Sequence, residues 1–182
     1  TRYIGDWSSD VCSSDLPRRL EAEAIRDSML AVSGQLDGTM FGPGTLDQNM
    51  KRRSVYFFIK RSGLIPMMML FDWPEHLVSI GQRGTTTIAP QALMFMNSPQ
   101  GRVYADAFAK RLTTTSNEDA ARTVFRLAFG RQPSAKEQAA SIAFLTQQEA
   151  KYKADGRQDG SQLARVDLCQ AIMGMNEFVY VD

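Results

Sequence analysis

Gln82 to Thr87 places a guanidinium (Arg83) and three hydroxyls (Thr85, Thr86 and Thr87) directly ahead of a helix start at Pro90. Hydroxyls, a guanidinium and free backbone N–H groups converging on the positive end of a helix are what an oxyanion requires. The cluster is therefore a candidate anion-binding site for phosphate, sulfate or carboxylate. Arg53, Asp72 and Asn97 are its candidate supporting residues. A structural reading competes: Thr87 or a neighbour caps the helix and Arg83 pairs with Asp72 or Glu75. Capping is the default, because every helix start has N–H groups to satisfy.

Other groups carry less chemistry. Asp72, Glu75 and His76 lie within five residues in FDWPEH, but one histidine with two carboxylates on an irregular loop lacks the spacing of a metal box. No metal site is expected, and Asp72 reads better as a loop anchor accepting backbone N–H groups. Arg52, Arg53, Lys60 and Arg61 bracket the run VYFFI, which suggests a base-stacking strip; a buried apolar segment flanked by carboxylate-paired arginines is the stronger reading. Met67, Met68 and Met69 are consecutive and cannot face one ion together, so they are expected as core filler. Asn176 follows the last long helix and is expected in a left-handed C-cap conformation, with a site role for Asn176 and Glu177 as the alternative.

Composition narrows the classes further. Lys plus Arg is 21 against 20 for Asp plus Glu, and this balance advertises no nucleic-acid partner and no anionic membrane. The longest apolar run, Leu64 to Phe71, contains a proline and is far short of the roughly 20 residues that span a bilayer. With Cys12 discounted, only Cys169 remains, so neither a disulfide framework nor a Cys-rich metal site is expected, and there is no C-x-x-C-H for a covalent haem.

Thr1 to Leu16 repeats Ser-Ser-Asp, has no helical or strand period, and ends in CSSDL, one back-translation of which looks like the end of a short-read sequencing adapter. We read residues 1–16 as such an artefact, disordered and excluded from fold reasoning. Residues 17–182 are long enough for one domain.

The elements that must position these side chains are mostly helical. Arg18 to Leu36 repeats apolar residues at three- and four-residue intervals. Gly38 to Thr45 must be a loop, and Val55 to Ile59 is expected as a buried extended segment or short strand. Gly63 to Ala89 is interrupted by Pro66, Pro74, Gly81 and Gly84 and is expected to be irregular, with Leu64, Ile65, Phe71 and Trp73 anchoring it to the helix around Leu93 and Phe95. Helices follow from Pro90 to Asn97, from Arg102 to Leu112, from Ser116 to a stop at Gly130, and from the capping box Ser134 to Glu137 on to Ala154. The last runs from Gln162 to Met173, with Phe178 to Val181 as an extended tail. The fold class is mainly α, an irregular helical domain with a long central coil and at most a short β segment.

The stretch from Arg52 to Pro99, RRSVYFFIKRSGLIPMMMLFDWPEHLVSIGQRGTTTIAPQALMFMNSP, orders its special residues in a way no periodicity explains. With the opening RRLEAEAIRDSMLAVSGQLD and the closing DLCQAIMGMNEFVYVD, it resembles the planctomycete-type domain of unknown function DUF1553, over about Pro17 to Asp182. That resemblance implies a C-terminal domain of a larger exported, periplasmic protein, with a cytochrome-c-like domain upstream that carries the only haem, and no cofactor in this piece. The leading expectation is a docking or substrate-presentation module whose partners are the upstream domains of the same polypeptide. The alternative is an enzyme or binding domain acting on an anionic, sulfated or carboxylated polysaccharide, with Arg83 and the threonines holding the anion and Asp72 as acid or base. A concave pocket collecting Arg53, Asp72, Arg83 and Asn97 favours the second; a flat apolar face favours the first.

Overall fold

The computed structural model describes residues 17–60, 63, 65–74, 81, 83–114 and 116–181. In chain order the elements are β1 (Arg18–Arg19), α1 (Ala22–Ser33), a 3₁₀ turn (Ser54–Tyr56), α2 (Pro66–Leu70), α3 (Ala89–Asn97), α4 (Pro99–Lys110), α5 (Asn117–Phe129), α6 (Ala135–Ala154), α7 (Gly160–Met173), α8 (Asn176–Val179) and β2 (Tyr180–Val181). The fold is mainly α, with a single two-stranded sheet among the described residues. The expected artefact, residues 1–16, lies outside them.

Boundaries fall where the cap chemistry is strong. The Ser116 hydroxyl accepts from Glu118 N–H at 3.2 Å to open α5, and Gly130 closes it at φ 71°, a left-handed conformation that glycine adopts without a Cβ clash. At the start of α6 the capping box is reciprocal: Glu137 N–H donates to Ser134 Oγ at 3.3 Å and Ser134 N–H donates to Glu137 Oε2 at 2.7 Å.

Helix α7 is the centre of the packing and lies against α6 and α4, and α1 packs on α4. Ala105, Ala109, Ala164 and Cys169 are buried at these contacts and let the backbones approach, while Phe108, Phe125, Leu145 and Met173 fill the space between. β1 and β2 pair antiparallel, Arg18 opposite Val181 and Arg19 opposite Tyr180, and Leu20 N–H continues the contact to Val179 O at 2.8 Å.

Several expectations shift. The first helix spans Ala22–Ser33 rather than Arg18 to Leu36. Its first residues find their partners in β2, and at the other end Gly34 at φ 72° turns the chain so that Gln35 and Leu36 donate back to Leu30 O. Val55 to Ile59 is not a buried strand: Ser54–Tyr56 is a 3₁₀ turn, Phe57 alone of the five is buried, and Val55, Phe58 and Ile59 are exposed. The central coil contains α2, which starts at Pro66 because proline's missing N–H costs nothing in a first turn. Helix α4 begins at Pro99, where the Ser98 hydroxyl accepts from Gly101 N–H, and α7 begins at Gly160. The tail is a turn of helix followed by β2, and Asn176 opens that helix instead of taking a left-handed cap.

The coil is anchored as expected at Phe71, while Trp73 turns to Glu23 of α1 instead of α3. Phe71 and Ile65 are buried, and the Phe71 ring meets the Phe95 ring at 5.8 Å. Leu93 is half exposed and is no anchor, and Leu64 lies outside the described residues.

Candidate functional site

Asp72 follows α2 at φ 61°, a conformation that a non-glycine residue keeps only when its surroundings hold it there. Its carboxylate accepts from Thr86 N–H at 2.7 Å, from the Thr86 hydroxyl at 2.8 Å, and from Arg19 Nη2 at 2.5 Å. Buried Gln91 reinforces the corner. Its amide donates to Leu70 O at 3.0 Å and Thr86 O at 3.1 Å, and its oxygen accepts from Ile88 N–H at 3.3 Å. The start of α3 is therefore capped by Gln91 from inside the helix, and Thr87 instead approaches the Tyr180 hydroxyl at 3.5 Å.

Arg83 turns to α1 and not to Asp72. Its Nη1 and Nη2 make a fork onto Glu23 at 2.9 and 3.0 Å, and Nη1 also reaches Glu21 at 3.1 Å. The hydrogen bonds with Glu23 hold the Arg83 pKa above its ordinary value. Glu23 also accepts from Trp73 Nε1 at 2.9 Å, so residues on both sides of the central motif converge on one carboxylate of α1. Glu75, His76 and Gln82 lie outside the described residues.

The predicted site residues do not share one cavity. Arg53 and Arg83 open onto a cleft of about 750 Å³ along α1, beside Glu23, Asp27 and Trp73. Asp72, Arg83 and Thr85 line a second cavity of about 460 Å³, together with Arg18, Arg19 and Glu21. Asn97 stands exposed at the end of α3 and lines neither. A third cavity, of about 730 Å³, is walled by Arg26, Met29, Met67, Met94 and Tyr104 and contains none of the predicted residues. Among the described residues no group of three or more His, Cys, Asp or Glu side chains is placed to hold a metal, and no helix is long and apolar enough to cross a membrane.

Two buried arginines carry the interior and were not foreseen. Arg26 is 2% exposed, donates to Arg52 O at 3.1 Å, to the Ser54 hydroxyl at 3.2 Å and to Met50 O, and stacks over Phe57 at 4.6 Å. Its desolvation lowers its pKa. Arg19, with a side chain 3% exposed, reaches from β1 to Asp72. Neither shows in a sequence: an arginine on an amphipathic helix or beside a chain start ordinarily reads as solvent-exposed.

The loop that follows α1, as far as residue 60, is held by hydrogen bonds between its own residues. Phe41 N–H donates to the Tyr56 hydroxyl at 2.7 Å, Thr45 N–H to Tyr56 O at 3.0 Å and Phe58 N–H to Thr45 O at 2.8 Å. Arg52 stacks on Tyr56 at 3.5 Å and donates to the carbonyls of Thr39, Phe41 and Pro43, in place of the carboxylate expected for it; Arg53 does approach one, Asp27, at 3.6 Å. A Cβ on Gly44 would sit 3.0 Å from Tyr56 O, so glycine is required for this approach. The same loop leaves Met40 (66%), Phe41 (79%), Val55 (71%), Phe58 (59%) and Ile59 (54%) open to solvent.

A family model described as a protein of unknown function (DUF1553) matches residues 4–145, beginning before Pro17 and ending short of Asp182, and taking in the whole central motif. No curated protein and no solved structure matches the chain.

Proposed function

This chain belongs to the DUF1553 family, whose description assigns no chemistry, and from that premise we propose that it is a docking module that presents the apolar loop between α1 and α2 to another domain of a larger polypeptide. The observation that carries the reading is five large apolar side chains held in solvent by a loop whose backbone is already ordered. Folding alone does not retain such a surface, whereas a prepaid loop conformation lowers the cost of binding. The enzyme reading has less support. Arg83 is committed to Glu23 and Glu21, Asp72 already accepts from Arg19 and Thr86, and among the described residues the cavities that Arg53, Asp72 and Arg83 line do not gather the four predicted residues.

The setting follows from the resemblance of the central motif: an exported, periplasmic protein of planctomycete type, with haem confined to an upstream cytochrome-c-like domain and no cofactor in this module. Hydroxyl-radical footprinting tests the docking surface. Met40, Phe41 and Phe58 should be oxidised readily in a piece spanning residues 17–182 and be protected severalfold in the full-length polypeptide. Equal oxidation in both would end the proposal.

A further inference from the structure

Between α1, α2 and the corner where α3 meets α4 lies the cavity of about 730 Å³, and its walls differ in how far they reach solvent. Arg26, Met29, Ile65 and Tyr104 are each 5% exposed or less and seal it from behind. The surface open to an occupant comes from Met67 and Leu70 of α2 and Met94 of α3, all half-buried, and from exposed Leu46 in the loop after α1. Ser98 and Gln100, also half-buried, stand beside them at the α3–α4 corner.

Protein interiors pack to crystal density and keep few voids larger than a water, which takes up about 30 Å³. This hollow instead falls within the range of small-molecule sites, roughly 300 to 1,000 Å³, and the loop holds it open. Asp47 N–H donates to Thr45 Oγ1 at 3.1 Å, Asn49 N–H to Asp47 Oδ1 at 2.9 Å and Met50 N–H to Asp47 O at 3.1 Å. That turn fixes Leu46 to Asn49 as a wall and keeps it from closing onto Met67 and Leu70.

Charge and side-chain type set the class of occupant. The charged residues that line the cavity are Arg26 and Asp47. Arg26 spends its donors on Met50 O, Arg52 O and the Ser54 hydroxyl, and its positive charge behind the wall disfavours a cation. Asp47 stands exposed at the mouth and disfavours an anion. Two thioethers among four accessible apolar side chains favour an aromatic ring, because sulfur meets a ring edge favourably at about 5 Å and methionine's torsions adapt to its shape. The Ser98 hydroxyl accepts from Gly101 N–H at 3.3 Å and keeps its own proton to donate, and Gln100 carries an amide, so a polar substituent on the ring finds partners at the corner.

We infer that this cavity binds an uncharged aromatic small molecule bearing a hydroxyl or carbonyl group, its ring against Met67 and Met94 and its substituent toward Ser98 and Gln100. The site goes beyond the docking reading, since Met40, Phe41, Val55, Phe58 and Ile59 line no part of it.

Titration of phenol, benzoate and cyclohexanol into the chain carrying methyl-labelled methionine tests the site by NMR. Phenol should shift the Met67 and Met94 methyl signals saturably, with a Kd on the order of 1 mM for its roughly seven heavy atoms, and leave exposed Met40 and Met96 in place. Benzoate, repelled by Asp47, and cyclohexanol, which lacks the ring, should bind severalfold more weakly. Met94→Trp puts an indole into the space and should abolish the phenol shift at Met67. Shifts that do not saturate, or that reach Met40 and Met96 equally, overturn the site, and cyclohexanol or benzoate binding as tightly as phenol overturns the class of ligand. If Met94→Trp does not fold, the wild-type titration still decides, because Met67 and Met94 are read against Met40 and Met96 in the same sample.

Discussion

Phe71 links the two halves of the central motif through a single ring. It is 2% exposed, meets Phe95 of α3 at 5.8 Å, and lies under the Arg19 guanidinium at 5.4 Å, while the next residue adopts the left-handed turn that delivers Asp72 to Thr86. Truncation would leave a cavity beneath Arg19 and remove a cation–π contact together with the packing. Phe71→Ala should therefore lower unfolding free energy by about 3 to 5 kcal/mol in urea titration, the range for a buried aromatic. A loss below about 1 kcal/mol would mean that the corner is held by Asp72 and Gln91 without it.

At the scale of the element, helix α6 shows how a cap becomes a pH-dependent device. Glu137 sits at its third position, where Arg131 donates to both its oxygens at 2.9 and 2.7 Å and Ser134 N–H adds a third bond. These bonds, Arg131's first, hold the Glu137 carboxyl down to about 2. A depressed carboxyl stabilises the fold above its unfolded value of about 4.3, and the contribution is lost as pH falls through that value toward about 2. Because the carboxylate is partly exposed, at 29%, solvent screening keeps the effect modest. Melting temperatures of wild type and Glu137→Gln should differ most above pH 5 and converge as pH is lowered toward 2; a difference that stays constant with pH would show that the carboxylate's charge is not what matters. Arg131 also grips Glu177 of α8 at 2.7 and 2.6 Å, so the same arginine ties this cap to the segment leading into β2.

At the scale of the molecule, the two ends of the described chain are joined by β1 and β2, and this junction places Arg19 over the core. Removing residues 1–16 should leave the melting temperature unchanged, since that segment has neither apolar period nor cap chemistry. Removing residues 1–20 should lower it by several degrees, because β2 then loses its partner and Asp72 its cation. A fall with the shorter deletion would show that the first sixteen residues pack against the domain.

The helical class, the stop at Gly130, the capping box at Ser134 and the anchoring role of Phe71 were legible in the chain, because caps, breakers and apolar period act within a few residues of themselves. The partners of charged side chains were not, because they are set by which elements meet. Arg83 faced Asp72 and Glu75 in sequence but found Glu21 and Glu23 on a helix sixty residues away. Arg52 found carbonyls and a tyrosine ring, and Val55, Phe58 and Ile59 were left outside by a loop whose hydrogen bonds turn them outward. Arg19 was expected within a helix from Arg18 to Leu36, and the structure instead pairs it with β2 and sets its side chain on Asp72. Local periodicity determines which residues become helix; burial of a charge depends on the whole packing, and that is decided only when distant segments close around it.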